Sequence, residues 1–600
     1  MPAFEHLHVV SGYSLRYGAA LPARLAERAA ERGITALALT DRDTVAGSVR
    51  FAKACAAAGV RPLFGADLAH APCAGPHHQP VTWHTARERA IAADGAPRVV
   101  LLAEDRAAWA ALCHLISAAH AHPDSPPRLA WADLERHASG LTALLGRASE
   151  PVRALGAGHP DRAVALLAPW REIFGPRLRL EAAYYDPRGS GPGSLPLAAR
   201  TLNLAAAEGI EAVLAGAVRY ADPDQAPVAD VLDSARRLTR IDPQHTDRGE
   251  RWLKPPSAMA AIAEHIASAA GQDASYLLAA TARCADRLRL DPEGDLGLGR
   301  VHFPEPQLVG ASPATAAGLL ATRCRAAMTA RGYDHDPAML QRLEEELAVI
   351  DHLGYPAYFL TVAQIVDDTR RLGIRVAARG SATGSLVVHL LGIATANPVR
   401  HDLLMERFLS PRRTTLPDID IDVESTRRLE VYRAIFDRFG PDRVATVSMP
   451  ETYRVRHAIR DTAAALGLDP AETDRLAKAF PRIRARDARS ALAELPESRT
   501  VAAHYARCTR LWDLVEALDA PSFDGHAPLR GAAVRPHPHG PHPGGAQRRR
   551  APGDVAVRQG RAARGTGQSW SGKRPHRAPG ARRRSARGVL GRPPASSAAP

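Results

Sequence analysis

Nine residues constrain this chain more than any others: Leu416-Pro-Asp-Ile-Asp-Ile-Asp-Val-Glu424. Ile419, Ile421 and Val423 alternate with Asp418, Asp420 and Asp422, and a period of two sends the two sets to opposite faces of a β-strand. One face is apolar and the other is all carboxylate. Such a row repels itself unless a cation neutralises it, and a divalent metal is the simplest candidate. The plain alternative is an exposed acidic strand that holds no metal. An EF-hand does not fit, because Val423 stands where that loop needs glycine and Leu429 where it needs glutamate.

About 30 residues earlier, Arg375 to Ala377 reads as a strand and runs into Arg379-Gly-Ser-Ala-Thr-Gly-Ser385, followed by the apolar stretch Leu386 to Leu391. Glycines let backbone N–H groups approach phosphate oxygens, hydroxyls add donors and arginine neutralises charge. A helix starting near Ser385 would point its positive end the same way. By itself the stretch also reads as an ordinary Gly-Ser turn, and it is no Walker loop, since no Gly-Lys-Ser/Thr occurs. Next to the aspartate strand it gains weight. Carboxylates two apart on a strand are able to hold two metal ions, the arrangement that clamps attacking and leaving oxygens in phosphoryl or nucleotidyl transfer.

Towards the N-terminus the chain alternates apolar runs with helical patterns. Strands are expected at Ile34 to Thr40, Arg98 to Ala103, Leu141 to Leu145 and Ala212 to Ala215, giving a parallel barrel or doubly wound sheet over residues 1–270. Residues 257–370 read as mainly helical. There Leu340, Leu343, Leu347 and Ile350 form a stripe, Arg342, Glu344, Glu345 and Glu346 are expected on a solvated face, and Gly354 with Pro356 ends the helix. Residues 427–461 and 469–518 also read as helical and charged.

Six scattered cysteines without a Cys-x-x-Cys pair argue against a disulfide framework or a zinc ribbon and suit a reducing cytoplasm. Without a signal segment or an apolar run of membrane-spanning length, a soluble cytoplasmic protein is expected. The formal net charge of +14 is misleading as a guide to the body of the chain. From Pro521 onward stand 16 basic residues and two acids, whereas the first 520 hold 62 of each. That last stretch is rich in Arg, Pro, Gly, Ala and His and poor in core-forming residues, so it is expected to be disordered. The abruptness of the change predicts a shifted reading frame near codon 520; a genuine nucleic-acid-adhering tail is the rival.

Several ordered motifs resemble the bacterial C-family DNA polymerases, the DNA polymerase III alpha subunits of the replicative or error-prone branch. They are Gly354-Tyr-Pro-Ala-Tyr-Phe359, Arg379 to Ser385, Asp402-Leu-Leu-Met-Glu-Arg-Phe-Leu409, Pro417 to Asp422 and Ala458-Ile-Arg-Asp461. The resemblance implies an α/β multidomain chain. A distorted β/α barrel of the polymerase-and-histidinol-phosphatase (PHP) type is expected over 1–270, a nucleotidyltransferase-like α+β palm over 271–445, a helical thumb over 446–520 and the tail over 521–600. It implies Asp418 and Asp420 as catalytic carboxylates and ligands of two Mg²⁺ ions, and Arg379, Gly380, Ser381, Gly384 and Ser385 as the triphosphate grip. Arg407, Arg454, Arg456 and Arg460 become candidate phosphate contacts, with surface or structural roles equally open. Primer-template DNA and deoxynucleoside triphosphates are the implied partners, together with a sliding clamp and other replisome subunits.

The chain also departs from the family pattern. Around His8-Val-Val-Ser-Gly-Tyr-Ser14, Leu39-Thr-Asp-Arg-Asp43, Phe64-Gly-Ala-Asp67 and Ala217-Val-Arg-Tyr220, metal-binding relatives carry a histidine at the place of Val10 and Asp-His-Asp around Arg42. They carry a glutamate at Asp67 and Asp-x-His at Ala217 to Arg219. Valine has no ligand atom and arginine brings positive charge, so the PHP domain is expected to be structural and metal-free, with His6 and His8 ordinary polar residues. No later palm strand supplies a third carboxylate, and the fingers and clamp-binding segment do not follow. Little polymerase activity is therefore expected of the chain as written. A non-catalytic DNA-binding fragment and a PHP-type metal phosphoesterase are the rival functions.

Overall fold

The computed structural model describes residues 4–73, 94–121, 125–243, 246–298, 303–411, 417–440, 443–444, 449–494, 508–519 and 522–526. The first element built is a six-stranded sheet in sequential order, with β1 Ala36–Arg42, β2 Arg61–Ala69, β3 Arg98–Ala103, β4 Leu141–Leu145, β5 Leu178–Ala182 and β6 Glu211–Leu214. The four expected strands are present to within two residues at each end. β2 and β5 were not anticipated, although Leu-Arg-Leu-Glu-Ala in β5 alternates. The sheet is also mixed rather than parallel: β3 pairs antiparallel with both neighbours, and all other pairs are parallel. Hydrophobic alternation is blind to strand direction, which is why the sequence did not show this reversal.

Successive residues of these strands enter two cores, as a period of two requires. Leu37, Leu39, Val99, Leu101, Leu141 and Leu145 face the helices outside, while Ala36, Ala38, Val100, Leu102 and Leu144 line the inside around Leu7. Residues 6–10 close the sheet. His6 bridges to Leu37 beside β1, and Val9 bridges to Val218 just beyond β6, so the segment joins the first and last strands into a distorted barrel. The helix Ala274–Arg287 seals one mouth with Cys284 and Ala285, and Leu288 follows them inside. With Leu277 and Leu290 in the outer core, barrel packing extends to residue 290, past the expected boundary at 270.

A second core gathers the helices Ala316–Ala330, Pro337–His352 and Pro356–Arg371 around the apolar stretch after Ser385, with Phe408 and Ile419. Asp336 caps Pro337–His352 by accepting the N–H groups of Ala338 and Met339, and Gly354 at φ +74° turns the chain after the helix. On this base lies an antiparallel pair, β7 Val376–Arg379 and β8 Asp420–Val423. The helix Arg428–Phe439 packs Val431, Ile435 and Phe439 against Ile365 and Ile374.

The helices Val455–Leu466, Pro470–Ala479 and Thr509–Ala517 have a core in common with the barrel. Val455, Ala458, Ile459, Trp512 and Val515 pack with Val228, Val231 and Leu232 of the helix Ala226–Arg237. Just before them in the chain comes a strand the sequence did not announce, β9 Met449–Thr452. It pairs antiparallel with β10 Ser522–His526. The latter corrects the expectation that everything from 521 onward is disordered, because the β9 backbone supplies partners for it. The rest of the expected tail lies outside the described residues.

Candidate active site

The aspartate strand forms over Asp420–Val423, shorter than expected, and Asp418 lies in the segment that leads into it. Ile419 is buried, Ile421 and Val423 lie partly buried beneath β8, and Asp422 is exposed. Tyr358 fixes the approach to β8: its hydroxyl accepts the Ile419 N–H at 3.2 Å. Burial, helped by the charges of Asp418 and Asp420 against that hydrogen bond, pushes its phenol up to about 12, so it stays protonated. The β7–β8 register sets Arg379 opposite Asp420 and Ala377 opposite Asp422. Arg379 Nε donates to Asp422 Oδ1 at 3.0 Å, and its Nη2 lies 3.7 Å from Asp420 Oδ2. Asp420 Oδ1 is buried with no hydrogen-bond partner among the described residues. A buried, unsatisfied carboxylate oxygen beside a guanidinium suits a site that receives a cation.

The five candidate grip residues divide. Arg379, Gly380 and Ser381 are exposed, and Gly380 at φ +74° holds a backbone conformation that favours glycine. Gly384 and Ser385 point inward. A Cβ on Gly384 would lie 2.7 Å from the Leu404 carbonyl oxygen, so the missing side chain lets the 402–409 segment close against the loop. Ser385 caps the helix Leu386–Leu390 by accepting from Val388 N, and its hydroxyl donates to Glu346 Oε2 at 2.7 Å.

Glu346 is the residue that sequence reading misplaced. Expected on a solvated face, it is buried and accepts from Ser385 Oγ, the N–H groups of Leu386 and Val387, and Arg342 Nε. Glu344 and Glu345 are exposed as expected. The correction concerns charge as well as place. The positive end of the short helix after Ser385, expected to face a phosphate, is neutralised from within by this carboxylate. The available signal was spacing: position 346 lies three after Leu343 and four before Ile350, on the buried stripe. Arg342 also donates to the carbonyls of Gly384 and Leu403, tying loop and segment together.

Of the four candidate arginines, Arg407 and Arg454 are exposed. Arg456 donates to the Phe480 carbonyl and Arg460 to Asp474 Oδ1, so both tie helices together.

The barrel holds a second polar cluster. Asp67 lies between Arg98 (Nε to Oδ1, 2.9 Å) and Arg42 (Nε to Oδ2, 3.3 Å). Burial raises its pKa, but the two guanidiniums prevail and hold it at about 2. The Tyr17 ring is sandwiched between Arg42 and Arg219, at 3.5 and 4.0 Å from its centroid, and its hydroxyl accepts from Arg251 and Arg147. Arg219 binds Asp233, and His8 Nδ1 meets both oxygens of Glu181. Burial, the largest influence, draws the His8 pKa down, yet Glu181 carries it above the ordinary value. His6 is buried against the Lys254 carbonyl, and that burial lowers it to about 4. Arginine thus meets the acids that metal ions would otherwise meet, and these residues do not fit a metal cluster. Among all described residues, no group of three or more His, Cys, Asp or Glu converges on a metal position, and no helix is long and apolar enough to cross a membrane.

Residues 319–521 match the bacterial DNA polymerase III alpha NTPase domain, and residues 6–182 match the PHP domain. An error-prone DNA polymerase of Symbiobacterium thermophilum is 33% identical over 503 residues, which cover 80% of this chain and 42% of that protein. Another from Pseudomonas syringae pv. syringae is 33% identical over 495 residues, with the same coverage. The chain therefore spans less than half the length of the curated relatives it matches. An amidohydrolase of Chromobacterium violaceum shares 16% identity, covering 36% of this chain and 86% of its own, at a TM-score of 0.22.

Proposed function

This chain belongs to the bacterial C-family DNA polymerases, the DNA polymerase III alpha type, and from that premise we propose that β7–β8 is the nucleotide-binding half of a DNA-directed DNA polymerase site of the error-prone branch. The observation that carries the proposal is the register that sets Arg379 against Asp420, at the mouth of the glycine turn. The relatives' names support the branch.

The reaction is template-directed nucleotidyl transfer, in which a primer 3′-hydroxyl attacks the α-phosphate of a deoxynucleoside triphosphate and pyrophosphate leaves. Asp418 and Asp420 would hold Mg²⁺, which when bound lowers the pKa of the attacking hydroxyl and neutralises the leaving phosphates. The donor set fits a hard cation, being carboxylate oxygens with one left unsatisfied. Arg379 and the exposed turn at Gly380 and Ser381 would take the β- and γ-phosphates, the guanidinium through paired donors. Gly384, Ser385 and Glu346 position that turn from below. Arg407 and Arg454 are the phosphate contacts we retain, whereas Arg456 and Arg460 act as structural ties. Primer-template DNA is the partner, and the barrel serves as a metal-free scaffold.

Equilibrium dialysis of the full chain with labelled deoxynucleotide and Mg²⁺ tests this. Saturable binding that needs the metal and is lost in Asp418→Ala and Asp420→Ala is expected; unchanged binding in both variants sinks it. Primer extension by this chain alone is expected to be slight, since no third carboxylate joins the pair among the described residues.

A further inference from the structure

Arg379 is the cation that already meets the acidic face of β8. Its side chain is 47% exposed and that of its hydrogen-bonded partner Asp422 is 59% exposed, whereas Asp420 is 21% exposed. Ion pairs so open to water are weak and exchange partners readily. A divalent cation entering beside Asp420 would come within a few ångströms of the guanidinium 3.7 Å away, and the two would repel. A triphosphate offers that guanidinium more charge than one carboxylate does, on oxygens spaced for its planar fork. Arg379 ends β7 in extended backbone, at φ −132°, so a change of rotamer is enough to redirect it outward.

Building on the reading of Asp418 and Asp420 as metal ligands, we propose that Arg379 is a tethered counter-cation. It occupies the Asp420–Asp422 row before nucleotide arrives, competes there with the divalent ion, and leaves for the triphosphate, with Asp422 as its waiting partner. Asp422 then has a task that is not metal ligation: it positions an arginine. Nucleotide and metal would each strengthen the other's binding by the amount of competition relieved, a reciprocity that linkage requires.

The test is Mn²⁺ titration of the full chain without nucleotide, followed by the electron paramagnetic resonance of free Mn²⁺. Arg379→Gln should tighten binding roughly fivefold, the order expected when one unit charge is removed from near a divalent ion at a wet site. Arg379→Lys, which keeps the charge, should stay within about twofold of the parent on the same reasoning. Asp422→Asn should weaken binding more when Arg379 is present than in the Arg379→Gln background, because only then is a guanidinium released onto Asp420. Asp420→Asn should abolish binding. If Asp420→Asn abolishes it while Arg379→Gln leaves it equal or weaker, the counter-cation is refuted and the metal site stands. If Asp420→Asn changes nothing, the site itself is refuted and the counter-cation falls with it. Circular dichroism of each variant guards against loss of fold, to which a half-exposed side chain contributes little.

Discussion

Glu346 buries its carboxyl group at 1% side-chain exposure, and four donors satisfy it there: Arg342 Nε, Ser385 Oγ and the N–H groups of Leu386 and Val387. Removing the carboxylate strands those donors. Glu346→Ala should cost about 3–5 kcal/mol, as breaking a buried pair does. Glu346→Gln should cost less, since its carbonyl still accepts while its amide meets a donor. Urea midpoints read as free energies check the order, and a Glu346→Ala as stable as the parent would show that the carboxylate does not hold the loop. At this scale the sequence was legible where the pattern that marks a residue is local. Alternation and the glycine spacing, both short-range signals, foretold the strands that end at Arg379 and begin at Asp420. Glu346 was misplaced because three of its four donors lie 39 to 41 positions away. Longer separations, 202 and 234 positions, hid the arginines around Tyr17, since Arg219 and Arg251 come from beyond β6.

Elements were legible in kind, less so in direction and pairing. β1, β3, β4 and β6 follow from apolar runs, yet nothing in an apolar run says that β3 points the other way. β9 escaped because Met449-Pro-Glu-Thr452 has no alternation and depends on β10 for its hydrogen bonds. In the site, the glycine turn and the 402–409 segment are held together by close backbone approach as much as by side chains. Gly384→Ala places a methyl group 2.7 Å from the Leu404 carbonyl oxygen, a backbone atom that cannot rotate away. The variant should lose about 1–3 kcal/mol, in line with overpacked sites. Because Arg342 bridges the carbonyls of Gly384 and Leu403, the loss should appear as faster amide exchange on both strands of the contact. Faster exchange confined to the 402–409 segment would contradict the shared anchoring.

Across the described part of the molecule, the apolar side of the helices at 455–517 is closed by Val228, Val231 and Leu232 of the barrel-side helix Ala226–Arg237. That arrangement was beyond the sequence, since each helix is amphipathic on its own and periodicity names no partner. It gives the scaffold reading of the barrel a physical content. The same helix is tied to the arginine cluster, for Asp233 binds Arg219 and Arg236 on one side while Leu232 faces the helices on the other. Leu232 is fully buried, so Leu232→Asp puts an unpaired carboxylate into that seam, a change costing several kcal/mol. The expected outcome is a local opening. Limited proteolysis should cut first within 455–517, and the fluorescence of buried Trp512 should shift to the red, while the barrel fragment persists because its own two cores are untouched. A substitution near residue 230 would then release helices more than 220 positions away, inside the stretch that matches the polymerase domain. Cleavage in the same order and at the same rate as in the parent would mean that those helices are held by contacts other than the barrel's.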